Sequence, residues 1–236
     1  MKLLVTQRPS YINLIILSYI FYEIKNIFLI DLIIFFFSYI YCDYWLFLLH
    51  IFLDQLQTTK SSIQFISILA KSFQEHHLDP KAIIDSNHLS DIDKLLLFSN
   101  LPCFLYMIFY EITDTNSTLI KFSLFTSILG IIASTNHYYC HAITHKSSLI
   151  KLNLQYKIFS FLQKKGFLPT NEYHKIHHIP PHECNWNFLN GNNKFLTYLY
   201  LLTEKNYGLL RLLFYFTNPI SITWLYFSTQ IIKRYI

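Results

Sequence analysis

From Leu32 to Leu53 the chain runs through an almost continuous series of Ile, Leu, Phe, Tyr and Trp, broken by one carboxylate, Asp43, and one imidazole, His50. About 20 such residues carry an α-helix across the ~30 Å hydrocarbon core of a bilayer, so this segment is expected to be a membrane span. Further apolar stretches from about 11 to 30, 95 to 112 and 119 to 134 point the same way. The whole chain of 236 residues is 53% hydrophobic and only 14% charged, whereas soluble domains carry about 25% charged residues. Four glycines, at 130, 166, 191 and 208, cannot assemble a Gly-rich phosphate cradle. The four cysteines, at 42, 103, 140 and 184, never reach C-x-x-C spacing, which argues against a cysteine zinc site or a disulfide framework.

Short polar links at 23–31 and 113–117 imply two helical hairpins. The expected fold is therefore all-α, a single domain over 1–236 built as an integral membrane four-helix bundle. Pro9 and Ser10 suit the start of the first span, which could instead be a signal sequence, although no small-residue cleavage site follows. With four crossings, the polar stretches 54–94 and 135–194 emerge on one side. The second carries Lys146, Lys151, Lys157, Lys164, Lys165, Lys175 and Lys194 against Glu172 and Glu183, and the positive-inside rule puts that side in the cytosol. The formal net charge of +5 has the same origin. These lysines are spread singly, which argues against nucleic acid as a partner. The segment 207–236, with Arg211, Pro219 and Lys233-Arg234, is expected to lie at the interface as amphipathic helices or to cross once more.

Seven of the eleven histidines fall between 137 and 182. His137, His141 and His145, four residues apart, form a stripe along one helix face as the chain leaves the fourth span. His174, His177 and His178 have the spacing that aims three imidazoles at one spot before Pro180-Pro181 end the helix. His76 and His77 diverge by about 100° on a helix, enough to serve two neighbouring metals. Asp43, His50 and Asp54 share a face of the second span, and Asp54, one turn after His50, suits a carboxylate that orients an imidazole. His88 and His182 are candidates that solvent could equally claim. More histidines converge than one zinc ion needs, so two metals fit better than one, although imidazole alone does not name the ion.

Taken in order, D-x6-H-x3-D at Asp43, His50 and Asp54, F-Q-E-H-H-L-D-P at 73–80, H-x3-H at His141 and His145, and H-K-I-H-H-I-P-P-H-E at 174–183 resemble the plasmanylethanolamine desaturase family of Kua-type lipid desaturases, related to the plant phosphatidylglycerol trans-desaturase branch. The resemblance covers about residues 10–200. It implies a di-iron membrane enzyme that uses O2 and two reducing equivalents, delivered by a cytochrome b5-type or ferredoxin-type donor, to desaturate a chain of a membrane phospholipid. In the best-known branch a 1-alkyl ether becomes a vinyl ether, a plasmalogen. Carried over by position, the implied metal ligands are His50, His76, His77, His141, His145, His174, His177 and His178, with Asp54 as a functional carboxylate. The chain departs from the family pattern at Tyr173, Ile143 and Phe47, where that pattern has His, Trp and Gly, and in a longer linker between His145 and His174. The implied location is the endoplasmic reticulum in a eukaryote or the inner membrane in a bacterium.

Rival readings are an acyl-chain desaturase, a lipid hydroxylase and a His-rich metal transporter. Transport would call for ionisable ligands deep in several spans, whereas only Asp43 and His50 lie at that depth. A metalloprotease is weaker still, because His182-Glu183-Cys184 lacks the second His of H-E-x-x-H.

Overall fold

The computed structural model describes residues 29–79, 118–145, 154–179, 184–186, 189–190, 194–203 and 206–219, with scattered positions at 18 and between 221 and 232. Among them every regular element is helical: α1 (Leu29–Asp54), a 3-10 turn (Thr58–Lys60), α2 (Gln64–Leu78), α3 (Thr118–His145), α4 (Leu154–Lys164), α5 (Asn171–His177), α6 (Lys194–Thr203) and α7 (Tyr207–Thr217). The expected second and fourth spans correspond to α1 and α3. The first (about 11–30), apart from Ser18, Leu29 and Ile30, and the third (95–112) lie outside the described residues, as do His88 and His182. α1, at 26 residues or about 39 Å, is among the described residues the one helix long and apolar enough to cross a membrane.

The chain forms two compact units, one from 1–42, 87–131 and 216–236, the other from 43–86 and 132–215. In the first unit, the early part of α1 exposes Leu29, Ile30, Leu32, Ile33, Phe35, Phe36, Phe37 and Ile40, a surface suited to lipid rather than water. Its polar side chains turn inward. Asp31, 1% exposed, receives the Lys121 ammonium at 2.6 Å, Ser38 donates to the carbonyl of Ile34, and Tyr41 donates to that of Thr217. α7 stops just before Pro219, and the Asn218 side chain accepts from the backbone N–H of Ser221 at 2.9 Å, with proline at the first-turn position.

The core of the second unit joins Phe47, Leu48, Ile51, Phe52 and Leu53 of α1 to Ala70 and Phe73 of α2, Trp186, Leu196, and Leu210 and Phe214 of α7. Phe52 stacks on Phe214 with centroids 4.1 Å apart. α4 ends in a Schellman motif: Gly166, at φ 77°, gives its N–H to Gln163, and Phe167 gives its own to Leu162. The turn leads directly into α5, whose start is capped by Thr170, accepting from the N–H of Tyr173 at 3.2 Å.

Two variants test these supports. Lys121→Met leaves the Asp31 carboxylate buried without its cation, a change that costs about 3–5 kcal/mol when one member of a buried pair is removed. Its melting temperature in detergent is expected to fall sharply, and Asp31→Asn in the same chain to restore most of the loss. Thr170→Ala is expected to cost about 1 kcal/mol while Thr170→Ser costs far less, read in the same thermal assay.

Candidate metal centre

Each part of the centre comes from a different helix of the second unit. α1 supplies His50 and Asp54 one turn apart, α2 supplies His76 and His77 in its last turn, α3 supplies His137 and His141, and α5 with its C-terminal cap supplies His174, His177 and His178. His50, His76, His137, His141, His174 and His177 are all at most 4% exposed.

The ligand atoms fall into two groups: His76, His137, His141 and His178, and His50, Asp54, His77 and His177, each set lying within 4.8 Å of one another. In the first, His141 Nε2 is 3.0 Å from His137 Nε2 and 2.9 Å from His174 Nε2, which in turn is 3.1 Å from His178 Nε2. In the second, His177 Nε2 is 2.8 Å from His50 Nε2 and 3.4 Å from His77 Nε2. The adjacent His76 and His77 therefore enter different groups, as their divergence on α2 requires. His174 and His178 approach the first group while His177, on the opposite flank of the short helix, enters the second. His137 joins the first group. His145 lies in α3, with its side chain outside the described residues. Asp43 serves another purpose, accepting from the N–H of Asn190 at 3.2 Å.

For two of the rings the other nitrogen fixes how the imidazole points. His177 donates from Nδ1 to the carbonyl of Cys184 at 2.9 Å, and His76 donates from Nδ1 to that of Phe73. Both leave Nε2 with its lone pair aimed into the cluster, the arrangement metal-binding histidines adopt. The Cys184 carbonyl is positioned by Asn185, which takes a left-handed conformation at φ 61° and donates to the carbonyl of Tyr173 at 2.9 Å. On the α3 side, Gln163 donates to Asn136 at 2.8 Å, and Asn136 donates to the carbonyl of Pro169 at 3.1 Å. This buried amide relay ties the residue before His137 to α4 and to the lead into α5.

A metal pair suits this donor set. His76 Nε2 and Asp54 Oδ2 are buried with no hydrogen-bond partner among the described residues, and an unmatched buried polar atom is costly unless something occupies it. Burial, and then the neighbouring imidazoles, hold His76 and His174 well below the ordinary imidazole value, so both stay neutral and able to bind a cation. Edge-on Phe73, 4.7 Å from the His50 ring, and Trp186, 6.5 Å from that of His177, close part of the periphery.

The four-residue stripe marks His137 together with His141 and His145, whereas the ligand set implied by the family resemblance leaves it out; the structure brings it into the first group. Nothing in the sequence pointed to the Asn136–Gln163 relay or to the Cys184 carbonyl, since both depend on the meeting of distant segments.

The suppressed imidazole values set a pH dependence for the metal-free protein. The unfolded chain takes up protons near pH ~6.5 while these buried rings resist, so the unfolded state gains relative stability as pH falls through that value. Melting temperature is expected to hold above pH ~7 and to decline steadily below ~6.5, in a thermal series from pH 8 to 5; a flat curve would contradict this.

No curated protein and no solved structure matches the chain. The family model of the lipid desaturase domain matches residues 39–205, a stretch that holds both ligand groups and the relay supporting them, and the chain belongs to that family.

Proposed function

We propose that this protein is an O2-dependent di-iron lipid desaturase that introduces a double bond into a glycerophospholipid chain, converting a 1-alkyl ether to a vinyl ether. The observation that carries this reading is the pair of adjoining ligand groups, seven histidines and Asp54, inside a lipid desaturase domain. The apolar helix α1 supports placement in a membrane, and we read the protein as multi-pass with its His centre on the cytosolic side.

Overall, R–CH2–CH2–R′ with O2, two electrons and two protons gives R–CH=CH–R′ and two waters. His76, His137, His141 and His178, with His174 alongside, would hold one iron, and His50, His77 and His177 with Asp54 the other. His145 stays a candidate ligand from the family pattern. An iron pair in this place supplies O2 activation and the oxidising power to take hydrogen from an unactivated C–H bond. The protein's share is positioning and the exclusion of water. A cavity of about 310 Å3 beside the second group is lined by Ile51, Asp54, His77, Leu78, Trp186 and Tyr200, among others. Ile51, Leu78, Trp186 and Tyr200 give it an apolar wall facing the polar Asp54, Gln55, Gln74 and His77, and we read the apolar wall as the side that receives the lipid chain, with the reacting carbons near His77. Electrons would come from a cytochrome b5-type or ferredoxin-type donor.

The test is lipid mass spectrometry of cells that lack plasmalogens, expressing the wild-type chain or His178→Ala, with acid lability scoring vinyl ethers. Vinyl ethers are expected with the wild type. The variant is expected to lose more than about 100-fold, beyond the 10–100-fold typical of partners that only orient a ligand. Iron-loaded protein without vinyl ethers, but with altered fatty-acid profiles or hydroxylated lipids, would redirect the assignment to acyl-chain desaturation or hydroxylation.

A further inference from the structure

We infer that Asp54 binds a metal directly, so that the two metal positions are chemically unequal: one ringed by imidazoles alone, the other by three imidazoles and a carboxylate. This rests on the proposed metal centre and goes further by assigning its ligand types.

The geometry separates a ligand from an orienting group. A carboxylate that only orients a histidine accepts from the ring nitrogen turned away from the metal. In the second group that outward position on His177 is already filled, its Nδ1 donating to the Cys184 carbonyl. Asp54 instead approaches the nitrogens that face inward. Its Oδ1 lies 3.5 Å from His77 Nε2 and its Oδ2 4.0 Å from His50 Nε2. With the 2.8 Å and 3.4 Å separations of His177 Nε2 from His50 and His77, three ring nitrogens and the two oxygens of one carboxylate form a closed circuit: His50, His177, His77, Asp54 and back to His50. Donors bound about 2.0–2.2 Å from one first-row metal sit about 3 Å apart at right angles and about 3.5 Å apart at the tetrahedral angle. The separations of 2.8, 3.4 and 3.5 Å lie close to these values, and the 4.0 Å between Asp54 Oδ2 and His50 Nε2 is the wider side that a bound ion would draw in. Asp54 Oδ2 is also buried with no hydrogen-bond partner among the described residues, as an oxygen awaiting a cation would be.

The consequence is electronic. A hard anionic oxygen favours the higher oxidation state more than a neutral imidazole does, so the Asp54 position would hold its iron as ferric while the all-imidazole position is more readily kept ferrous. The pair would then accept its two electrons unequally.

The test uses the full chain in detergent or nanodiscs, loaded with 57Fe, with iron per chain and the Mössbauer spectrum as readouts. The wild type is expected to hold two irons per chain with two distinct quadrupole doublets. Asp54→Asn is expected to lose or shift one doublet and leave the other unchanged, with iron falling towards one per chain. Asp54→Glu, which keeps a carboxylate, is expected to retain both irons with only one doublet altered. Two irons and both doublets unchanged in Asp54→Asn, or a single symmetric doublet in the wild type, would overturn the inference. If Asp54→Asn gives no folded protein, Asp54→Glu decides: one shifted doublet supports direct binding and an unchanged spectrum refutes it. Wild-type protein that takes up no iron would instead overturn the metal centre on which the inference rests.

Discussion

The structure turns on how nitrogen lone pairs can be buried in number. Eight imidazoles gather from four segments of the second unit, most of them hidden from water. A buried ring nitrogen needs a proton partner or a cation; a neutral imidazole carries one N–H and one lone pair, so in a cluster where His76 and His177 already spend their N–H on backbone carbonyls the inward nitrogens hold more lone pairs than protons to share. Nε2 atoms 2.8–3.4 Å apart are tolerable when a positive ion sits among them. The rest of the second unit can be understood as the means of holding these atoms there.

That holding is done with ordinary devices. Backbone carbonyls of Phe73 and Cys184 fix two rings by their outer nitrogens. The Schellman turn at Gly166 and the Thr170 cap bring α5 in at a defined angle, and the Asn136–Gln163 pair keeps α3 in register with that entry. Each contact is modest, about 1 kcal/mol for a typical hydrogen bond. Their effect is geometric rather than simply stabilising, since metal sites depend on ligand placement within fractions of an ångström. The aromatic core around Phe52, Phe214 and Trp186 gives those devices a rigid backing.

In the first unit a related problem has a different answer. Asp31 and Lys121 pair with each other in a largely apolar setting and need no ion, while aromatic and aliphatic side chains of α1 face outward. One helix thus carries a lipid-suited surface at its start and metal-suited groups at its end.

Much of this was legible in the sequence. The apolar run to Leu53 announced α1, the four-residue stripe announced the face of α3 that carries His137 and His141, and His76-His77 announced a pair that must diverge, since helical periodicity is a local property written in adjacent residues. Tertiary structure alone decided the partition of the histidines. The sequence put His174, His177 and His178 at one spot, but two of them turn to α3 and one to α1, because a helix of seven residues has different neighbours on its two flanks. It likewise placed Asp54 beside His50 as an orienting group. Which nitrogen that carboxylate meets depends on where α2 and the loop at Cys184 dock, and no spacing along the chain encodes how separate segments pack against one another.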